Sequence, residues 1–398
     1  MLDSLIDRSS DHQSKSHVEY IIQDQCARFS FSSFFFALSK PPDVSKNASD
    51  LSLGGNMTSC SAPPITIFTS ISNIYSALIQ AAPSLEIIEL NDEALSGYGG
   101  TVEFDATRLA PTTIESLEKA EILITEPFVL AELLKYNIPL TNLKWCQSTY
   151  AGVDPLFPLA DIPSFALTRF AGKFGPPIAE WCLARIISHE RNFEKSGKDQ
   201  KTKRWAGSTE VLHYRYLSDL TLTILGCGDI GMCIAKAAKA FGMRVVGYVR
   251  SDRELQNFDE CSTCLEATMQ KADYLVSVLP STSNTHGLLN LERLRCASKE
   301  NGGKCPVLLN VGRGNVTDTM SLIQALEDGC LSAAILDVFD QEPLSQDSPL
   351  WAHPKVTVSP HVSGLTRGRD VPKLVLDNYE RYVNQEPLLY TVDWNKMY

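Results

Sequence analysis

LTLTILGCGDIGMCIAKAAKAFGMRVVGYVRSDR, Leu220 to Arg253, is the stretch whose reading decides the fold. LTLTIL (220–225) is an apolar strand, and GCGDIG follows it at once. Ile230 to Phe241 has the period of a helix carrying small residues, and MRVVGYV (243–249) is a second strand. Strand, glycine-rich turn, helix and strand make a dinucleotide-binding unit. In that unit Gly226 permits the tight turn, Gly228 lets a pyrophosphate approach the backbone, and Gly231 lets helix and strand pack. The helix N-terminus at Asp229 and Ile230 then offers free N–H groups and a positive dipole end to the phosphates.

The pattern continues on both sides. DYLVSVLP (273–280), PVLLNV (306–311), AAILDVF (333–339) and KVTVSP (355–360) bring this unit to six strands separated by helical spans. Upstream, ITIFTS (65–70), LEIIEL (85–90), EILITE (121–126) and LKWCQST (143–149) alternate with helical IYSALIQAA and PFVLAELLKY. Strands interleaved with helices imply parallel sheets covered on both faces. The expected fold is therefore α/β with two doubly wound parallel-sheet domains, one Rossmann and one flavodoxin-like, and a cleft between them. Residues 65–175 form one domain, completed by the C-terminal segment 365–398, whose VPKLVLDNYERYVNQ (371–385) reads as a helix. Residues 176–364 form the other, entered through PPIAEWCLARIISHERNF (176–193), a Pro-started helix suited to a hinge.

Composition narrows the function. The chain has 398 residues, is 44% hydrophobic and 21% charged, and carries a formal net charge of −11. The acidic balance argues against a nucleic-acid partner, since phosphate binding rests on Lys and Arg. No run reaches the roughly 18–20 apolar residues of a membrane span. Eleven cysteines, several inside apolar runs, suggest free thiols in a reducing, cytoplasmic setting. Cys261-Ser-Thr-Cys264 has no second pair nearby, so a surface helix is expected there in place of a metal or redox site. Residues 1–64 are expected to be a disordered extension. Their first 56 residues hold seven acidic and five basic side chains, unlike a transit peptide, and translation from Met57 is an alternative.

The end of the second strand of the dinucleotide unit carries the cofactor choice. A carboxylate there accepts the adenosine ribose hydroxyls and repels a 2′-phosphate. This chain has Arg250, with Ser251 and Arg253 beside it. A guanidinium accepts no hydrogen bond but grips a phosphate bidentately, so NADPH is the expected cofactor, with NAD possible.

Three later strand ends carry chemistry: Arg313 in NVGRGNVTD, Asp337 and Glu342 in DVFDQEP, and His361 in VSPHVSG. Ligands of open α/β sheets bind outside the carboxyl ends of strands, where these loops meet. Hydride reaching a keto carbon leaves an alkoxide that needs a proton donor, and His titrates in the right range. A carboxylate beside it stabilises the imidazolium, and a guanidinium grips a carboxylate and polarises a carbonyl.

GCGDIG, NVGRGNVTD, DVFDQEP and SPHVSG, in this order, resemble the motif series of the D-isomer-specific 2-hydroxyacid dehydrogenases over about residues 120–365. The resemblance implies that His361 is the acid/base, that Glu342 orients it and that Arg313 binds substrate. It implies that the backbone at Tyr150, Ala151 and Gly152, in STYAGVD, holds the substrate carboxylate. Leu279, Pro280 and Thr285 in LPSTSNTHGLLN, together with Val311, Gly312, Asp337 and His361, would line the cofactor, Asp337 at the nicotinamide carboxamide. The arginine-bearing strand end looks most like the glyoxylate/hydroxypyruvate reductase branch, so the expected activity is reduction of a small 2-keto acid to a D-2-hydroxy acid. The formate branch has glutamine in place of Glu342. The family also includes dinucleotide-binding corepressors that act through partners, but Arg250 and the acidic charge favour metabolism. A homodimer is expected, with the segment from Trp181 to Trp205 supplying the contact.

Overall fold

A computed structural model describes residues 62–97, 102–159, 162–205, 209–297 and 305–394. The first sheet contains β1 (Ile65–Ile67), β2 (Ile87–Glu89), and, beyond a short antiparallel pair β3 (Leu95–Ser96) and β4 (Glu103–Phe104), β5 (Ile122–Thr125), β6 (Trp145–Ser148) and β7 (Ala166–Thr168). Its order is β2-β1-β5-β6-β7 with every pairing parallel. The second sheet contains β8 (Thr221–Leu225), β9 (Arg244–Tyr248), β10 (Glu260–Ser262), β11 (Tyr274–Ser277), β12 (Val307–Asn310), β13 (Ala333–Leu336) and β14 (Val356–Val358). Its order, β10-β9-β8-β11-β12-β13-β14, reverses at β8, so the glycine loop that follows β8 sits at the topological switch point.

Four strands escaped the sequence reading, among them the two-residue pair β3 and β4. β7 and β10 are three residues each, and β10 is a half-buried edge strand with no apolar alternation to reveal it. Cys261 therefore lies in β10, and Cys264 directly precedes the helix Leu265–Met269, which corrects the expected surface helix. The nine described cysteines are free thiols. Among the described residues, no group of side chains is placed to hold a metal, and no helix is long and apolar enough to cross a membrane. The expectations for the extension and for Met57 fall outside the described residues, except at 62–64, where the Pro63 carbonyl accepts the Tyr379 hydroxyl at 2.9 Å.

Strand alternation explains the layering. Leu222, Ile224, Tyr274, Val276, Val307 and Leu309 face one core, shared with the helices Gly175–Glu190 and Asp229–Ala240. Leu225, Leu275, Leu308 and Leu336 face the other, under Leu291–Cys296 and Thr319–Glu327. The central strands β11, β12 and β13 are buried at every position because both of their faces are covered.

The entry helix begins at Gly175, one residue before its prolines, and ends at Glu190, where Asn192 at φ 49° turns the chain into a second helix, Phe193–Lys201. Gly175 packs so closely on the helix Asp229–Ala240 that a Cβ there would lie 2.4 Å from Cys233 Sγ. The last helix, Val371–Val383, returns to the first sheet. There Tyr382 stacks on Trp145 and donates to Glu121 at 2.7 Å, while Asn378 Nδ2 donates to Gln147 at 3.3 Å.

Candidate active site

The glycine loop has the geometry its spacing demands. Gly226 adopts φ +103°, and a Cβ there would come within 2.7 Å of the Val278 carbonyl. A Cβ on Gly231 would lie 2.2 Å from the Gly226 carbonyl oxygen, whereas one on Gly228 would meet nothing within 4 Å. Two glycines thus serve internal packing, and the third leaves open space over the N-terminus of the helix Asp229–Ala240. Arg250, Ser251 and Arg253 are exposed just beyond β9, and Arg253 Nη2 lies 3.5 Å from the Cys227 carbonyl inside the loop. On the facing segment Leu279 is buried, and the Thr285 hydroxyl donates to the Pro280 carbonyl at 2.6 Å, pinning that turn. A Cβ on Gly312 would stand 2.7 Å from the Leu279 backbone, so the loops after β11 and β12 touch.

His361 and Glu342 meet, with Nδ1 and Oε2 2.8 Å apart. The other Glu342 oxygen accepts the Phe339 N–H at 2.8 Å. Burial pushes the Glu342 carboxyl up. The His361 hydrogen bond and charge, the Phe339 N–H and the charge of Arg313 outweigh it, so the group stays below the usual carboxylate range.

Arg313 extends toward the loop after β6. Its Nε lies 3.2 and 3.1 Å from the two Asp154 oxygens, its Nη2 3.0 Å from Oδ2, and its Nη1 2.8 Å from the Gly312 carbonyl. Gly152 closes on the same group, since a Cβ there would sit 1.7 Å from Arg313 Nη2. The Tyr150 N–H is taken by the Ser148 hydroxyl at 3.1 Å.

Residues 183–363 match the family model described as D-isomer specific 2-hydroxyacid dehydrogenase, NAD binding domain. Over 246 residues the chain is 30% identical to glyoxylate/hydroxypyruvate reductase A of Klebsiella pneumoniae, covering 61% of this chain and 75% of that protein. A crystal structure of a D-isomer specific 2-hydroxyacid dehydrogenase family protein from Aeromonas salmonicida superposes with a TM-score of 0.72 at 34% identity, over 84% of this chain and all of that one. The NADPH-dependent glyoxylate/hydroxypyruvate reductase of Sinorhizobium meliloti, in complex with NADP and sulfate, superposes at 0.68 with 26% identity, over 84% of this chain and all of that one.

The chain belongs to the D-isomer specific 2-hydroxyacid dehydrogenase family. Its relatives lie in the glyoxylate/hydroxypyruvate reductase branch. As a dehydrogenase of this family it has a nicotinamide-dinucleotide-binding domain, and the open face of Gly228 fits the pyrophosphate.

Three residues of this dehydrogenase's site were not singled out from sequence. Asn310, 1% exposed, braces the arginine loop from both sides, accepting from Gly312 N at 3.2 Å and donating to the Arg313 carbonyl at 2.9 Å. Ser359 donates to Asp337 at 2.5 Å, and Asp154 holds Arg313. Asp154 stands in the quoted STYAGVD loop, and its acidic side chain was the available signal. Asp337 is fully buried, and its oxygens accept from Ser359 Oγ, Val362 N and Ser363 N, all in the turn that carries His361.

Proposed function

We propose that this dehydrogenase reduces a small 2-keto acid of the glyoxylate or hydroxypyruvate type to the D-2-hydroxy acid, preferring NADPH. The observation that carries the reading is the His361–Glu342 pair, 2.8 Å apart at the ends of strands that also bring Arg313 near. With Nδ1 on Glu342, His361 is left with Nε2 to give a proton to the nascent alkoxide. Glu342, held ionised, compensates the imidazolium in the forward and reverse directions. Arg313 grips the substrate carboxylate and polarises the carbonyl, and the Ala151–Gly152 backbone flanks it. The bound reduced nicotinamide supplies the hydride.

Residues 65–175 with 365–398 act as the substrate domain and 176–364 as the cofactor domain. Arg250, Ser251 and Arg253 receive the 2′-phosphate, a reading supported by their exposure beside the glycine loop and by the NADP-bound relative. The free thiols suit a cytoplasmic enzyme. The enzyme works as a homodimer through the segment around Trp181 to Trp205, where Trp205 is 98% exposed and Phe193 is 56% exposed. Light scattering on a sizing column tests this, and a monomeric wild type would refute it. No observation favours the corepressor reading.

Steady-state kinetics on a panel of 2-keto acids, with NADPH and NADH side by side, tests the activity. Turnover of glyoxylate or hydroxypyruvate with a higher kcat/KM for NADPH is expected. Absence of turnover with every keto acid tried would overturn it.

A further inference from the structure

The arginine at the centre of this site is not free to turn. A guanidinium has five N–H donors in a plane. In Arg313, the Nε hydrogen and one Nη2 hydrogen go side-on to the Asp154 carboxylate, at 3.2, 3.1 and 3.0 Å. One Nη1 hydrogen goes to the Gly312 carbonyl at 2.8 Å. That leaves one hydrogen on each terminal nitrogen. Asp154 occupies the side edge between Nε and Nη2, so the end edge between Nη1 and Nη2 is the one turned to a ligand, and that edge can match a carboxylate bidentately.

Asp154 is itself rigidly placed. It opens the short helical turn Asp154–Leu156, and its neighbours Val153 and Leu156 are each 1% exposed in the core of the first sheet. Gly152 lies flat against the same corner, since a Cβ there would be 2.6 Å from Asp154 Oδ2 and 1.7 Å from Arg313 Nη2. The ion pair spans from the loop after β6 to the loop after β12, so it fixes Arg313 against the opposite sheet. Its two side chains are 30% and 34% exposed, which makes the pair a weak source of stability; its contribution is directional.

We propose that Asp154 is a positioning residue. It occupies the side edge of the Arg313 guanidinium and thereby turns the end edge to the carboxylate of the 2-keto acid. This rests on the function proposed above, in which Arg313 receives that carboxylate. Without Asp154 the side chain regains rotational freedom, and the substrate must order it on binding.

The test compares wild type, D154N, D154A, R313A and the D154A/R313A double variant. Each is measured by kcat and KM for the keto acid, by NADPH affinity, by thermal midpoint, and by calorimetric affinity for oxamate, a non-reducible keto-acid isostere. D154A should lower kcat/KM about tenfold to a hundredfold, mainly through KM, and weaken oxamate by a similar factor. NADPH affinity should stay within about twofold, and D154N, which keeps the shape and one acceptor oxygen, should fall between. In the R313A background the further change to D154A should have less than about a threefold effect, because Asp154 acts through that arginine. An unchanged KM and oxamate affinity in D154A would overturn the proposal, and so would equal effects of D154A in the two backgrounds. A wild type inactive on every keto acid would overturn the functional reading instead, and oxamate binding would still decide the role of Asp154.

Discussion

The Asp337 carboxylate sits beneath the turn that carries His361 and holds it from three directions. Oδ1 accepts from Ser359 Oγ at 2.5 Å and from Val362 N at 3.0 Å, and Oδ2 accepts from Ser363 N at 2.8 Å. The Asp337 carbonyl takes the His361 N–H at 2.8 Å. His361 has φ +52°, a left-handed backbone that a non-glycine residue keeps only where its surroundings impose it. Asp337→Ala would leave the Val362 and Ser363 N–H groups without their acceptor and the Ser359 hydroxyl with only the Leu336 carbonyl at 3.5 Å. Such a change should cost about 3 kcal/mol of stability and lower kcat at least about tenfold. Urea denaturation and steady-state kinetics on the same preparation check this. Weaker dinucleotide binding with stability intact would show instead that Asp337 serves only the nicotinamide.

For the proton transfer itself, His361→Gln should lower kcat about a hundredfold to ten-thousandfold while dinucleotide affinity, measured by fluorescence titration, changes little. Glu342→Gln should cost less, because a neutral amide still accepts from the Phe339 N–H but no longer compensates the imidazolium. Near-normal turnover in the histidine variant would remove His361 from the mechanism.

The parts of this molecule legible in its sequence are those set by local chemistry. Long apolar runs such as TLTIL and VLLN gave their strands because both faces are buried, and the glycine spacing gave the switch-point loop because Gly226 and Gly231 answer to contacts within their own βαβ unit. The motif residues at strand ends could be placed because a parallel sheet gathers its carboxyl-end loops on one side. β10 was hidden because Glu260, Cys261 and Ser262 form an edge strand with no buried face. The fork between Asp154 and Arg313 was hidden for another reason: its partners are 159 positions apart, and only the approach of two loops on different sheets joins them. Asp337 showed its charge in the sequence but not its geometry, since its partners lie more than twenty residues downstream, beyond β14.

Cofactor preference should follow the strand end after β9. Arg250→Asp should weaken NADPH at least about tenfold and improve NADH, because a carboxylate there repels the 2′-phosphate and accepts the ribose hydroxyls. Direct titration with both dinucleotides measures this without turnover. An unchanged ratio of the two affinities would make Arg250 a solvated loop residue.

Acid stability should depend on Glu190, at the end of the entry helix. Arg215 grips it through Nε at 3.1 Å and Nη2 at 2.5 Å, and the Tyr274 hydroxyl donates to it at 2.6 Å. The third arm of Arg215 reaches Asp273 at 2.8 Å, and Asp273 in turn accepts the Thr221 N–H that opens β8. The cluster thereby ties the helix to the amino ends of β8 and β11. Burial pushes the Glu190 carboxyl up, but the Arg215 and Tyr274 hydrogen bonds and the Arg215 charge bring it below its ordinary value of 4.5. A carboxyl lowered on folding contributes stability that is fully present above its unfolded value and is lost as pH falls through the folded one. Glu190→Gln should therefore cost about 2 kcal/mol near neutrality, where it leaves part of Arg215 uncompensated. The gap from wild type should narrow as pH drops from about 5 toward about 3, because the wild-type carboxylate is itself protonated there. Urea denaturation of the two proteins across that range measures the gap. A gap that stays constant would mean that the pair contributes shape alone, with its charge playing no part in holding the helix to the sheet.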